Sequence, residues 1–154
     1  MKRLGKITNQ NGAALVEFAI VLPLLLILIF GIIEFGVMFY DKAIITNASR
    51  EAARVGIVYS SSVVLPSFTK AQRDALINST AISYSAAHLI TFGGSSTPTI
   101  TITGDCTDNT GRTNAGTTLT TRVEYTYTYL VLPNFISSLI GPVNLSAETV
   151  MRCE

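Results

Sequence analysis

Two glutamates bracket the most apolar stretch of the chain, and the chemistry open to them is ion pairing. Residues 18–33 contain no charged side chain, and Glu17 and Glu34 stand directly before and after them. In a continuous helix their Cα atoms would lie about 25 Å apart, and at ~100° per residue they point along different faces, so they cannot pair with each other. A carboxylate inside a bilayer costs about 2.5–3.5 kcal/mol at the centre, less near the edge, and usually has a partner. We therefore expect Glu17 to need a cation from elsewhere and Glu34 to be an ordinary residue at the membrane boundary.

The remaining residues do not form a recognisable catalytic or ligand-binding set. Beyond the apolar stretch the sequence shows no paired carboxylates at a useful spacing, no nucleophile–base set, no metal cluster and no phosphate loop. The single histidine, His88, lies in an Ala/Ser-rich stretch, where a structural role is expected. The net charge is +1 and the basic residues after the first eleven positions are scattered, so no nucleic-acid surface is indicated. The sequence predicts a protein that is not an enzyme and that has no cofactor, metal site or nucleic-acid partner.

The element that carries Glu17 is predicted to be a membrane-spanning helix. The apolar stretch with its flanks, residues 13–39, exceeds the ~20 apolar residues that a bilayer-spanning helix needs. Basic residues and no acid precede it, so by the positive-inside rule the N-terminus stays in the cytoplasm and everything after Tyr40 is exported. These basic residues are Lys2, Arg3 and Lys6. The far side continues in helical register without the small-residue cleavage site of a secretory signal, whereas Gly12 and Ala13 stand on the near side.

This order of features resembles the type IV-like prepilins, in which a basic leader ends in a glycine and a glutamate follows at the start of a long apolar helix. Here the box is Gly12-Ala13-Ala14-Leu15-Val16-Glu17-Phe18. Its Glu-Phe ending is similar to the Tad/Flp pilus branch rather than to the type II pseudopilins. Further segments resemble TadE-like proteins: V-L-P-L-L-L at 21–26, F-G-I-I-E-F-G at 30–36, N-A-S-R-E-A-A-R at 47–54 and the terminal L-S-A-E-T-V-M-R-C-E.

The resemblance implies a processing site and a partner for Glu17. In the resembled family a prepilin peptidase at the cytoplasmic face cuts after the glycine, so the residues concerned are Gly12, Ala13, Glu17 and Phe18. Cleavage would expose an α-amino group on Ala13, whose ordinary pKa of ~7.7–8.0 makes it largely cationic at neutral pH. The same group on a neighbouring subunit is the cation that Glu17 lacks, and in a low dielectric pairing is favoured over leaving either charge alone. The alternative is that Glu17 extends to the inner interface of a plain signal anchor.

The function that the resemblance implies is structural. We expect a minor pilin or pseudopilin that takes part in Tad/Flp pilus assembly, and thereby in adhesion and surface attachment. Its expected partners are the membrane bilayer, other pilin subunits, the prepilin peptidase and the Tad-type inner-membrane assembly platform. Its expected location is the bacterial inner membrane, single pass with the C-terminal part exported, or an extracellular pilus. The alternative is an uncleaved membrane-anchored exported protein that assists assembly or binds a partner.

The residue pattern together with the prepilin resemblance predicts three parts: a leader at 1–12, whose end the resemblance implies, a long helix at 13–60 and an exported head at 61–154. The helix continues past the membrane without a strong turn signal until residues 60–62, and Pro23 predicts a kink within it. Small and apolar residues recur at helical spacing on its outer half and predict a packing stripe. The stripe consists of Ile44, Ala48, Ala52 and Val55.

The head is predicted to be an α+β unit with a second helix and a three-stranded antiparallel sheet, whose apolar face covers the helices. Ser67 or Thr69 caps the second helix, which runs to about residue 90 with an apolar stripe. This stripe consists of Phe68, Ala71, Ala75, Ile82, Ala86 and Leu89. Period-two alternation predicts strands at 97–103, 118–131 and 143–152. A tyrosine row on one face of the second strand is expected to pack rather than to bind a ligand; it consists of Tyr125, Tyr127 and Tyr129.

Two cysteines follow the first and third predicted strands. If these strands flank the central one, Cys106 and Cys153 lie at the same edge of the sheet on strands about 10 Å apart. The loop at 104–117 must then bend to bring their Cα atoms within the ~7 Å that a disulfide needs. An oxidising exported compartment favours this bond in a small domain. Free thiols and an intersubunit link stay open as alternatives.

Overall fold

The computed structural model of the chain describes residues 10–61, 69–91, 97–106, 115–132 and 138–153. Two helices precede three strands: α1 (Gln10–Ser61), α2 (Lys70–His88), β1 (Thr99–Thr103), β2 (Thr118–Tyr127) and β3 (Val143–Arg152). The sheet has the order β1-β2-β3 with both pairs antiparallel, and the helices pack against it. The predicted α+β fold is therefore confirmed. The boundaries of the three predicted parts stay a prediction.

The long helix α1 has two halves with opposite surroundings. Its 52 residues correspond to about 78 Å at ~1.5 Å per residue. From Gly12 to Ile33 its side chains are exposed or half-buried, and almost all are apolar. From Glu34 onward one side of the helix is buried against the head. Within the described ranges this is one helix that is long and apolar enough to cross a membrane.

The C-terminal half of α1, from Glu34 onward, packs against the head through small residues. Ile44, Ala48 and Ala52 of the predicted stripe are buried, and Val55 is half-buried, so this stripe is confirmed. Next to it, a Cβ atom on Gly56 would lie 2.6 Å from Cδ2 of Leu119 and 2.7 Å from Cδ1 of Ile77. Because real Cβ atoms do not approach so closely, glycine at this position lets α1, α2 and β2 meet.

The second helix buries a different face from the predicted one. A capping box between Thr69 and Gln72 starts it, so of the two predicted caps the structure uses Thr69. Its buried residues are Arg73, Ile77, Ala81 and Ser85. Four residues of the predicted stripe are exposed instead: Ala71, Ala75, Ile82 and Ala86. Leu89 packs partly against the core, and Phe68 lies outside the described residues. The prediction was wrong because it followed another set of apolar residues, and the buried face, which combines Ile77 and Ala81 with the polar Arg73 and Ser85, has no continuous apolar pattern.

The central strand β2 supplies most of the sheet's contribution to the core. Leu119, Val123, Tyr125 and Tyr127 are buried on the face towards the helices. Tyr129 is partly buried against the same core, so the predicted packing role holds for all three tyrosines. On β3, Leu145 and Ala147 join them. The strand β2 ends at Tyr127 rather than at residue 131 as predicted. The reason is that the backbone beyond it turns to donate hydrogen bonds to α1.

Candidate assembly site along the long helix

The N-terminal half of α1, up to Ile33, carries the residues that the sequence singled out. Gly12, Ala13, Glu17 and Phe18 all lie in its first turns, and all four are exposed. The basic leader residues Lys2, Arg3 and Lys6 lie outside the described residues. The structure thus places the predicted processing and pairing residues together on one open helix end.

Glu17 is an acid on an otherwise apolar surface. Its neighbours Val16, Phe18 and Ile20 are each more than 60% exposed. Among the described residues, no hydrogen-bond donor or cation contacts the Glu17 carboxylate. In lipid such a group is unfavourable alone, and it gains most from a cation that approaches from another molecule.

The Gly12–Ala13 peptide bond lies in the first turn of α1. The first four N–H groups of a helix have no intrahelical acceptor, so this turn opens more easily than the interior. Glycine weakens it further by about 0.5–1 kcal/mol relative to alanine. A Cβ atom added at Gly12 would meet nothing within 4 Å. The glycine at this position is therefore not required by packing within the chain.

Glu34 connects the long helix to the head, and it is 2% exposed. Its Oε1 accepts hydrogen bonds from the Tyr127 hydroxyl at 2.6 Å and from the Leu130 N–H at 2.8 Å. Its Oε2 accepts from the N–H groups of Val131 at 2.7 Å and Leu132 at 3.1 Å. We call these residues, Glu34, Tyr127 and 130–132, the Glu34 clamp.

The clamp satisfies a buried carboxylate without a cation. Successive backbone N–H groups in a turn form an anion-binding concavity, and here three of them converge with one phenol. Burial and the neighbouring Glu34 carboxylate raise the pKa of Tyr127 far above its ordinary value, so its hydroxyl stays a donor. The prediction that Glu34 is only a boundary residue was wrong, because a sequence pattern does not show which distant N–H groups fold back onto an acid.

A second buried acid lies two turns further along the same face. Asp41 is fully buried, and its Oδ1 accepts a hydrogen bond from the Ile90 N–H at 3.1 Å, just beyond the end of α2. The spacings between positions 34, 41, 45, 48 and 52 are seven, four, three and four residues. These positions therefore lie on one face of the helix. Extending the predicted stripe back from Ala48 through these spacings reaches both acids. That spacing is the signal that could have identified them.

The opposite end of the head is held by different contacts. Cys106 and Cys153 form a disulfide with Cα atoms 5.4 Å apart, and both are buried. Next to it the fully buried Arg73 guanidinium pairs with Asp74 at 2.7 Å and with Asp105 at 3.3 Å. We call these five residues the distal cluster. The sequence singled out its cysteines, but Arg73 gave no signal apart from its place on α2.

Gly104 contributes to the backbone geometry at the distal cluster. Gly104 follows β1 with a φ of +92°, in the region that favours glycine, and a Cβ atom there would overlap the carbonyl oxygen of Thr118. The Gly116 N–H donates to the Cys153 carbonyl, and the Cys153 N–H donates to the Thr117 carbonyl, both at 2.9 Å. These contacts position the two cysteines, which follow opposite edge strands, at the same end of the sheet.

Other side chains with chemical potential have structural contacts. The ring of His88 stacks on Tyr84 with centroids 4.6 Å apart, and its Nδ1 lies 2.8 Å from the Tyr84 carbonyl oxygen. In the part of the chain that the structure describes, no group of three or more His, Cys, Asp or Glu residues is placed to hold a metal ion.

An N-terminal apolar helix with an exposed inner half, joined to an α+β head, fits a single-pass membrane anchor. Residues 12–54 of the chain match the family model described as TadE-like protein. Over these residues the chain is TadE-like, which confirms the resemblance drawn from its sequence and indicates a pilus-associated protein. The matched segment includes Glu17, Glu34 and Asp41. Neither a curated protein nor a solved structure matches the chain significantly.

Proposed function

We propose that the chain is a minor pilin or pseudopilin of a Tad/Flp-type pilus, processed after Gly12 by a prepilin peptidase. In this proposal the apolar half of α1 lies in the inner membrane with the head exported. The processed subunit then joins other pilin subunits at the inner-membrane assembly platform. The filament would serve adhesion and surface attachment.

One observation carries the proposal: an uncovered apolar helix surface that bears a lone acid, within a segment that matches the TadE-like family. Exposed apolar surface of this extent needs lipid or protein around it. The acid near its start gives that contact a register, because only a neighbour whose cation reaches Glu17 relieves the cost of the buried charge. The amino group that cleavage would create on Ala13 is such a cation.

The head contributes a fixed geometry to this arrangement. Glu34 and Asp41 connect α1 to β2 and to the end of α2 by hydrogen bonds. Movement of α1 would therefore carry the head with it. A subunit built in this way can transmit the position of its membrane helix to the exported surface.

The first test is the identity of the N-terminus. Membrane-extracted protein from cells that carry the pilus system should begin at Ala13 when it is sequenced. Gly12→Val should abolish that product, and because a Cβ atom at Gly12 meets nothing within 4 Å, the variant should keep the fold. Gly31→Ala is the matched control, since Gly31 also has open space and lies far from the cut. A wild-type chain that retains its leader would contradict the proposal.

The second test addresses the role of Glu17. Glu17→Ala should be cleaved normally but should enter filaments at least tenfold less well, since loss of a buried ion pair typically costs about 3–5 kcal/mol. Glu51→Ala is the control, because Glu51 forms an ion pair of 3.6 Å with Arg54 on the exposed surface of the same helix. Sheared filaments quantified by immunoblot give the measurement. Normal incorporation of Glu17→Ala would contradict the pairing.

The alternative function is an uncleaved membrane anchor that assists assembly from the bilayer. It shares the exposed helix and the head, and it differs in the state of the N-terminus. An intact leader in functional cells, together with normal pilus assembly by Gly12→Val, would favour it.

A further inference from the structure

In the part of the chain that the structure describes, the head carries no charged side chain at the end that meets the apolar half of α1. Between Glu124 and Glu148 the sequence contains no Asp, Glu, Lys or Arg. This stretch includes the end of β2, the connection to β3 and the start of β3. The nearest acid on α1 is Glu34, whose charge is enclosed by the clamp.

Large apolar side chains are exposed at the same end. Leu139 is 87% exposed and Ile140 58%, and on α1 Phe35 and Phe39 are 60% and 67% exposed. Ile140, Phe35, Met38 and Tyr129 line a cleft of about 200 Å³ that borders Glu34. We call the four exposed residues, Phe35, Phe39, Leu139 and Ile140, the collar.

The length of the apolar helix fixes the depth of the collar. From Gly12 to Ile33 the rise is about 32 Å, which matches the ~30 Å hydrocarbon core of a bilayer. Phe35 and Phe39 follow within about 9 Å of Ile33 along the helix. They therefore fall largely within the headgroup layer, which adds ~5–8 Å on each side of the hydrocarbon core. The cleft is lined by the same turns of α1, so it lies at the same depth.

We propose that the collar is a lipid-contacting surface that seats the head in the headgroup layer of the leaflet on its own side, with a lipid chain filling the cleft. The inference rests on the membrane anchor of the proposed function. Lipid is the occupant because the collar continues directly from a helix surface that lipid surrounds. No ionised side chain in this uncharged stretch would have to lose its water. Tyrosine is enriched in the interfacial zone, and Tyr129 lines the cleft at this depth.

Single tryptophans test the proposal, because the chain contains none. Leu139→Trp reports on the collar, and its high exposure makes the substitution compatible with the fold. Ile27→Trp reports on the span, and Val150→Trp reports on an exposed position of β3 far from the collar. Each full-length variant is reconstituted in phosphatidylcholine/phosphatidylglycerol vesicles that contain lipids brominated at shallow or deep acyl carbons, and the fluorescence quenching is measured.

The expected result is a graded pattern. Ile27→Trp should be quenched best by deep bromines, Leu139→Trp several-fold better by shallow than by deep ones, and Val150→Trp by neither. Quenching of Leu139→Trp as low as that of Val150→Trp, with Ile27→Trp normally quenched, would overturn the collar alone. Leu139→Trp that is shielded from aqueous acrylamide but not quenched by any bromolipid would also overturn it, because a second copy would then cover the surface. Loss of quenching at Ile27→Trp would overturn the membrane anchor and the collar with it.

Discussion

At the membrane-proximal end of the head, one carboxylate on α1 accepts hydrogen bonds from Tyr127 and from three consecutive backbone N–H groups. At the distal end, a disulfide and a buried arginine connect α2, the end of β1 and the end of β3. The first arrangement joins the long helix to the sheet by reversible contacts. The second joins the end of β1 to the end of β3 by a covalent bond.

This difference shows which connection in the head is covalent and which depends on hydrogen bonds. The disulfide restricts the head regardless of what α1 does. The connection between α1 and the end of the sheet at Tyr127 depends on Glu34, whose carboxylate must stay buried and hydrogen-bonded. Four changes, from the largest expected effect to the smallest, test the contrast.

Removing the disulfide should have the largest effect. Its sequence separation of 47 residues corresponds to about 4 kcal/mol in the chain-entropy description of cross-linking. Cys106→Ser with Cys153→Ser should therefore lower the Tm of the head by several times the ~4–8 °C that 1 kcal/mol produces in a domain of this size. Near-UV circular dichroism of the tyrosines in detergent follows the transition. A Tm within a few degrees of the wild type would contradict the distal role.

Truncating Glu34 should come next. Glu34→Ala leaves one hydroxyl and three N–H groups without their acceptor, and each buried orphan costs about 1–3 kcal/mol, with water recovering part of the loss. We expect a net loss of about 3 kcal/mol. Glu34→Gln should recover only part of it, since its NH2 group would face N–H donors.

The control for Glu34 is Glu51→Gln on the exposed side of the same helix, which should change stability by less than about 0.5 kcal/mol. The measurement is thermal unfolding of the full chain in detergent. Equal Tm values for Glu34→Ala and Glu51→Gln would refute the clamp.

Deleting one donor of the clamp should have a smaller effect. Tyr127→Phe removes a hydroxyl that donates to a carboxylate at 2.6 Å, and hydrogen bonds to charged groups contribute about 1.5–3 kcal/mol. We expect a loss near the lower value because three donors remain. Tyr125→Phe is the matched control on the same strand face, since the described residues show no hydrogen bond to its hydroxyl. Equal losses in the two variants would mean that Tyr127 acts by packing alone.

The smallest expected effect is the coupling between the two ends. The length of β2 separates them by about 30 Å at ~3.4 Å per residue. Effects at such separations normally add within about 0.3–0.5 kcal/mol. The loss in Tyr127→Phe should therefore be the same with the disulfide intact or replaced by serines. A coupling energy above 1 kcal/mol would show that the ends do not act independently.

The elements of the fold could be predicted from local pattern. Period-two alternation identified β3 from end to end, and helical spacing identified the buried stripe through Ala48 and Ala52. These predictions succeeded because the periodicity of a strand or helix is a local property of the sequence. The stripe on α2 was wrong because its buried face includes a fully buried arginine, and one of the two charge partners of Arg73, Asp105, lies more than thirty residues later.

The candidate site was predictable in part. Glu17 could be identified because an acid in an apolar run is unusual whatever the tertiary structure. Glu34 stands in the same run, but its role depends on backbone N–H groups nearly a hundred residues away. Backbone donors carry no sequence signal, so no pattern of residue types could have shown that 130–132 converge on it.

The uncovered half of α1 has a consequence for how a subunit changes place. A helix that is apolar on every side is not stable in water, because exposing that area to water is thermodynamically unfavourable. In the proposed function, passage from bilayer to filament would therefore run directly between two apolar surroundings, with the neighbouring helix arriving as the lipid departs. Growth would then depend on how many subunits diffuse laterally within the membrane, and the aqueous concentration of the protein would have no influence on it.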